Sequence, residues 1–479
     1  PVATHQTASS LMLSWSAPTV STGGVATGYR LYLVTDGAGS TEPVYTSVYD
    51  GAESTATTTE LTSLISGSSY RYVLSTMSAF GESDVSAEVA VSTSPGVATG
   101  LSSTLQTTSS IALAWTAPTI ATGGSAVTGY KVYSRVVHAQ SSVSDVFLAS
   151  GVSTAVVEHF LDPTDDSMIV DTLVHDGRND VTAATDPTTE LNALSGGSLY
   201  TYLVGVVSAA GESDRSASLD VSTSAPAPSG LTSVSQTTTG MELSWTAPVI
   251  STGEAVTGYK VYRDDGADGA VDVVAYDSRQ NSGDFVATSC SVSGLTGGLT
   301  YKYQVAALSL AGESDRSVEM SSPTSPFQVS GVSSTLQTTD SITLTWSAPA
   351  ASAGNDASGY MVYRNDGLSG STEMSTVAYD GSSSTSVSGV VSGLVGGRKY
   401  SFVVSAMNGG GEGDVSDVLD QSTSPAAPSV LQSTLQTTTS ITLSWAAPVT
   451  EAGGADVIGY VLYRNDGSAD GAVTIEVYE

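Results

Sequence analysis

The stretch Ile111-Ala112-Leu113-Ala114-Trp115-Thr116-Ala117-Pro118 decides how this chain folds, because its large apolar residues fall on every second position and a proline closes the run. A period of two puts Ile111, Leu113 and Trp115 on one face of a β-strand, and proline, with no N–H to give a ladder, ends it. The phrase recurs as Trp15-Ser-Ala-Pro18, Trp245-Thr-Ala-Pro248, Trp346-Ser-Ala-Pro349 and Trp445-Ala-Ala-Pro448, which hold the other tryptophans of the chain. Successive indoles are 100, 130, 101 and 99 residues apart. Self-similarity at this period points to an array of domains, each with its own core, and the length of 479 residues suits several such domains.

Outward from the tryptophans, each repeat carries a Gly-Tyr pair: Gly28-Tyr29, Gly129-Tyr130, Gly258-Tyr259, Gly359-Tyr360 and Gly459-Tyr460. Alternation continues through Val132, Val261 and Val362, predicting a second strand with one buried face. Next comes Leu64-x-x-Gly67-x-x-Tyr70-x-Tyr72, repeated as Leu194, Gly197, Tyr200 and Tyr202, as Leu295, Gly298, Tyr301 and Tyr303, and as Leu394, Gly397, Tyr400 and Phe402. The leucine and first tyrosine have the spacing of a tyrosine corner, in which a phenol bonds to backbone a few residues upstream. Gly81-Glu82-Ser83, Gly211-Glu212-Ser213 and Gly312-Glu313-Ser314 follow, with Gly411-Glu412-Gly413 in the fourth repeat, and all are expected to be only turns. Ser-Pro or Ala-Pro then joins the repeats at Pro95, Pro226, Pro326 and Pro425.

Taken in this order, the motifs resemble the fibronectin type III family. The resemblance implies an all-β fold of tandem seven-stranded immunoglobulin-like β-sandwiches in an extended array. The expected modules are 1–94, incomplete at its start, 95–225 with an insertion of about 30 residues near 134–171, 226–325, 326–425, and a shortened 426–479. Linkers of one proline and a few small residues leave little hinge, so a semi-rigid rod is expected. Both ends fall short of a full repeat, which suggests a segment of a longer chain.

Composition narrows the function. The chain has 47 acidic and 15 basic residues, for a net charge of −32, and its only lysines are Lys131, Lys260, Lys302 and Lys399. Such a surface repels phosphate backbones and anionic lipids, so neither nucleic acid nor direct membrane insertion is expected. It keeps a long chain soluble and repels copies of itself. Ser and Thr make up about three residues in ten. No asparagine heads an Asn-x-Ser/Thr sequon, so sugars are expected only as O-linked glycans on exposed hydroxyls, including the Ser and Thr that flank the prolines. A single cysteine, Cys290, excludes an intrachain disulfide and reads as a small buried thiol.

Candidate sites are few. The insertion of the second repeat holds His138, His159, Asp162, Asp165, Asp166 and Asp171, and His175-Asp176-Gly177 aligns with Tyr49-Asp50-Gly51 just after it. Closely spaced carboxylates can wrap calcium, but this spacing matches no ligand pattern, so a surface loop or extra hairpin is expected. Asp264-Asp265-Gly266-Ala267-Asp268-Gly269 and Asp466-Gly467-Ser468-Ala469-Asp470-Gly471 look like pieces of calcium loops without the terminal glutamate, and Asn365-Asp366-Gly367 at the same place points to hairpin turns. The Gly-Glu-Ser segments lie where the best-known fibronectin module presents its Arg-Gly-Asp-Ser integrin tetrapeptide, but here the arginine is missing and aspartate is replaced. His5 takes a strand position held elsewhere by leucine, and His175 replaces a tyrosine. No catalytic residue, cofactor site or metal site is assigned.

Repetition without a site predicts a non-catalytic, secreted or cell-surface structural protein, such as a filament, appendage or coat component. Its partners would be copies of itself, or matrix and surface proteins and glycans. The alternatives are an adhesion or receptor stalk, whose weak contacts add by multivalency, and the spacer modules of a secreted carbohydrate-active enzyme.

Overall fold

The structure, a computed structural model, describes residues 1–478 apart from 20–23, 37–42, 139–156, 162–167, 178–186, 281–283, 351–355, 369, 451–453, 455, 468–470 and 474. The first repeat contains β1 (Val2–Gln6), β2 (Leu11–Ser14), β3 (Ala26–Asp36), β4 (Pro43–Gly51), β5 (Thr58–Leu61), β6 (Ser69–Ser78), β7 (Gly81–Glu82) and β8 (Val89–Ser92). One antiparallel sheet has the order β1-β2-β5, and the other β4-β3-β6-β7 with β8 also on β6. Counting β7 and β8 as halves of one interrupted strand, this is the seven-stranded, two-sheet sandwich expected from the motifs.

Alternation built it. Leu11, Leu13 and Trp15 turn inward from β2 and its end, and meet Tyr29, Leu31, Leu61, Tyr72 and Val91 in one core. Leu11, Leu13 and Leu31 are completely buried. The second and fourth repeats build separate cores of the same kind around Trp115 and Trp346. In every repeat the tryptophan lies against the Gly-Tyr tyrosine, with ring centroids 5.1–5.5 Å apart for Trp15–Tyr29, Trp115–Tyr130, Trp245–Tyr259, Trp346–Tyr360 and Trp445–Tyr460. Such tilted aromatic pairs add roughly 1 kcal/mol to the area they bury.

The second repeat contains β9 (Thr99–Gln106), β10 (Ile111–Thr116), β11 (Val127–His138), β12 (Val157–Leu161), β13 (Met168–Asp176), β14 (Thr188–Leu191), β15 (Leu199–Ser208), β16 (Gly211–Glu212) and β17 (Leu219–Ser222). Its insertion adds β12 as a sixth strand at the sheet edge, antiparallel to β13. The extra hairpin expected from the alignment is there. His175 pairs with Val132 just as Tyr49 pairs with Leu31.

The third and fourth repeats again pair a three-stranded sheet with a five-stranded one. In the fourth these are Ser330–Gln337, Ser341–Ser347 and Ser388–Ser392 against Gly359–Arg364, Thr376–Gly381, Lys399–Asn408, Gly411–Glu412 and Leu419–Ser422. Within the fifth, two separate pairs are described, Ser429–Gln436 with Ile441–Ala446 and Leu462–Arg464 with Ile475–Tyr478.

The tyrosine corner forms four times. The hydroxyls of Tyr70, Tyr200, Tyr301 and Tyr400 accept the N–H groups of Ile65, Ser195, Thr296 and Val395 at 2.8–3.0 Å, each five residues upstream. By contrast, Gly-Glu-Ser is more than a turn. Its glycine and glutamate pair with the preceding strand, and the strand then breaks where a serine side chain substitutes for backbone. Ser83 and Ser86 Oγ accept the N–H groups of Thr76 and Leu74, and each donates to the next carbonyl along its own chain. Ser213 with Ser216, and Ser314 with Ser317, do the same. Gly413 lacks a hydroxyl, leaving only Ser416 to bond Val404 N–H in the fourth repeat.

The chain divides into two compact units. One is Pro1–Ala227 with Pro248–Thr257 and Ala307–Asp315, and the other is Pro228–Ala247, Gly258–Ala306 and Arg316–Glu479.

Candidate functional surfaces

Asp171, read as one residue of a loose acidic insertion, is instead fully buried on β13 and held by two arginines. Arg135 from β11 grips it with two bonds of 2.7 Å, and Arg215 reaches its other side while lying 3.8 Å from the Tyr133 ring centroid. Burial alone would raise the carboxyl, but the two guanidiniums outweigh it and hold Asp171 below the usual carboxylate range. Its oxygens are therefore committed to clamping the added hairpin onto the sheet. Sequence spacing hid this, because Arg215 lies far along the chain beyond the strand that follows. The side chains of His138 and His159, and all of Asp162, Asp165 and Asp166, lie outside the described residues.

The Asp264–Gly269 segment does not converge on one point. Asp264 is buried and its Oδ1 accepts Lys302 N–H at 3.0 Å, Asp265 accepts Ala267 N–H at 2.9 Å, and Asp268 pairs with the Lys302 ammonium. In the fourth repeat Asn365 Oδ1 accepts the N–H groups of Ser401 and Gly367 at 3.0 and 3.2 Å. Gly266 and Gly367 have φ of 80° and 74°, and a Cβ on either would strike the ring of Tyr301 or Tyr400. These are turns, as expected, but the connections are longer than two-residue hairpins. Among the described residues no group of three or more His, Cys, Asp or Glu side chains is arranged to hold a metal ion.

The glutamate of Gly-Glu-Ser is tied into the sheet. Glu82 accepts Ser75 Oγ–H at 2.5 Å and the Tyr32 hydroxyl, and pairs with Arg30 at 2.8 Å, which together hold its carboxyl below the usual range. Tyr133 bonds Glu212 at 2.5 Å and Tyr363 bonds Glu412 at 3.0 Å, while burial with the Glu412 contact pushes the Tyr363 phenol up to about 12. Cys290 is half-buried on Ser289–Ser293, and burial pushes its thiol up to about 12, so it stays protonated and unreactive at neutral pH. His5 is exposed on β1 opposite Met12.

The most heavily built surfaces join consecutive repeats. In the first unit, Ser94 is completely buried, and its hydroxyl lies 3.2 Å from Gln6 O of its own repeat and 3.1 Å from Ala210 O of the next. Nearby, Ile120 Cδ1 comes within 3.0 Å of where a Cβ on Gly67 would sit, and a Cβ on Gly124 would fall 1.8 Å from Gly67 O. The same unit repeats the arrangement: Ser224 Oγ donates to Ala311 O at 2.9 Å, and Gly253 N–H donates to Gly197 O at 2.9 Å. In the second unit Ser325 Oγ donates to Gly410 O at 2.9 Å, Asn408 Nδ2 to Thr324 O at 3.0 Å, and Thr238 Oγ1 to Asp414 Oδ2 at 2.9 Å. The Ser and Thr beside the prolines, expected as exposed acceptors for O-linked sugars, are instead buried at Thr93-Ser94-Pro95 and Thr324-Ser325-Pro326, because the joint covers them. Among the described residues no helix is long and apolar enough to cross a membrane.

Comparison with known proteins places these features in context. The family model for the fibronectin type III domain matches residues 1–92, 226–323 and 326–422. Exoglucanase B of Cellulomonas fimi is 31% identical over 262 residues, covering 50% of this chain and 21% of that protein. Chitinase A1 of Niallia circulans is 33% identical over 151 residues, covering 29% and 19%. The human receptor-type tyrosine-protein phosphatase H is 28% identical over 291 residues, covering 60% and 24%. The chain thus spans only about a fifth to a quarter of the length of these relatives.

Proposed function

We propose, from the premise that this chain belongs to the fibronectin type III domain family, that it is a non-catalytic spacer of an extracellular protein, whose repeated sandwiches hold other functional parts at a set separation. The joints carry this reading. A linker built only for flexibility would leave its hydroxyls in water, whereas Ser94 and Ser325 are buried and shared between repeats. The polar groups found in the repeats serve the sheets themselves: Asp171 clamps a hairpin and Glu82 cross-links strands.

The host favoured by the relatives is a secreted polysaccharide-degrading enzyme, since an exoglucanase and a chitinase both share stretches with this chain. A filament or coat subunit is the second reading, favoured by repetition of one sandwich with buried joints. Electron microscopy of the purified chain separates them, because separate particles fit the spacer and ordered polymers fit the filament. Assay of the same sample on cellulose and chitin tests the common premise. Sugar release by the purified chain would overturn the non-catalytic reading.

A further inference from the structure

The joints share a tip residue whose size varies in an informative way. In the turn before Gly-Glu, Ala210 is 4% exposed and Ala311 is 8% exposed, and Gly410 stands at the same position. A Cβ on Gly410 would come within 2.6–2.7 Å of Pro323 O and of the Thr324 carbonyl, which is backbone and cannot swing aside. The first repeat has Phe80 here instead, 86% exposed, on a turn of the same geometry: Phe80 N–H donates to Ser78 Oγ at 3.2 Å as Ala210 N–H donates to Ser208 Oγ at 3.1 Å.

We propose that this tip residue selects which sandwich ends can seat on a Ser-Pro linker of another sandwich. Alanine or glycine lets the tip carbonyl reach the linker serine, and the phenylalanine of the first repeat bars that end from such a joint. The fit is steric, because the accepting carbonyl belongs to the tip residue itself and a side chain larger than methyl on that residue is carried into the linker. The partner surface for the permitted ends is a linker serine whose hydroxyl lies between a carbonyl of its own repeat and the tip carbonyl, flanked by the left-handed glycine of the preceding loop, as in Gly67 with φ of 61° and Ser94. The selection operates within each unit, at 94 with 210 and at 325 with 410.

The test uses the full chain with spin labels at Glu60→Cys and Glu190→Cys in a Cys290→Ser background, both labelled sites being exposed. Electron–electron double resonance should give one narrow distance distribution for this parent and for Ala210→Gly, and loss of the narrow peak for Ala210→Phe. A broad parent distribution, or a narrow one for Ala210→Phe, overturns the proposal. Hydrogen exchange on β10 and β15 shows whether Ala210→Phe leaves its own sandwich folded. If it does not, Ser94→Ala removes the contact from the other side, and a distribution as narrow as the parent's then overturns the proposal.

Discussion

The second and fourth repeats begin the same strand in the same way and end it differently. After Gly129-Tyr130-Lys131-Val132-Tyr133-Ser134 comes Arg135, and β11 runs on to His138. After Gly359-Tyr360-Met361-Val362-Tyr363-Arg364 comes Asn365, and the strand stops at Arg364. Asn365 is buried, and its side-chain oxygen takes the Ser401 N–H that a continuing ladder would have bonded to backbone. Arg135 instead points to Asp171, so the strand can carry a longer hairpin and a sixth strand. Asp264 ends the third repeat's strand as Asn365 does, and Val34 lets the first repeat's β3 continue to Asp36. One side chain at one register position therefore sets how far this strand runs, by competing or not competing with the backbone for the neighbouring N–H, and the sixth strand is added only where the insertion supplies it.

The largest effect on this comparison is expected from Asp171→Ala, which takes away the buried carboxylate that Arg135 and Arg215 share. Removing one member of a buried ion cluster costs about 3 kcal/mol or more, and partial exposure of the arginines favours the lower end. Hydrogen exchange read strand by strand should show β12 and β13 losing protection first, with the fourth repeat unchanged. Equal loss in both repeats would mean that the clamp is not local.

Asn365→Leu is next, because it strands two N–H groups, those of Ser401 and Gly367, at a loss of roughly 2 kcal/mol. Asn365→Asp should recover most of this, since Asp264 performs the same bond in the third repeat. Failure of the aspartate to rescue would show that the amide's donor bond to Ser371 O matters more than its acceptor role.

Acid should separate the two repeats by a smaller amount. The folded carboxyl of Asp171 titrates below its unfolded value of about 4. Its contribution is thus present above that value and is lost as pH falls through the folded one. The stability gap between the parent and Asp171→Asn, measured in the second repeat, should shrink below pH about 4, and a gap constant with pH would refute the assignment. Asn365 carries no charge, so Asn365→Leu should cost the same across that range.

The smallest expected effect belongs to the broken strand. Ser416→Ala removes the serine bond to Val404 in the fourth repeat, where Gly413 offers no second hydroxyl, whereas Ser216→Ala leaves Ser213 in place in the second. Each loses about 1 kcal/mol, with the fourth repeat more affected, and exchange of the Val404 and Val204 amides reports it.

The core was legible in the residues. Alternation around Trp15, Trp115, Trp245 and Trp346, the Gly-Tyr pairs and the tyrosine corners each encode a local periodicity or a short-range bond, and each appears in the structure. The surfaces were less legible. Gly-Glu-Ser read as a turn because its serine's partner, the N–H of a strand earlier in the chain, is set by cross-strand register. Cys290 read as buried and is only half so, because the strand that carries it lies at a sheet edge beside Gly240–Thr246.

By itself the sequence determined that this is a string of β-sandwiches of one family, because hydrophobic period and turn chemistry act over a few residues and repeat without change. Only the tertiary structure decided what the polar residues do. Asp171 became a clamp rather than a ligand, Glu82 a cross-link, and Ser94 and Ser325 the pins of joints between repeats. A carboxylate or hydroxyl has the same chemistry in water wherever it stands in the chain, and its role is set by which distant donors and acceptors the packed core brings within about 3 Å of it.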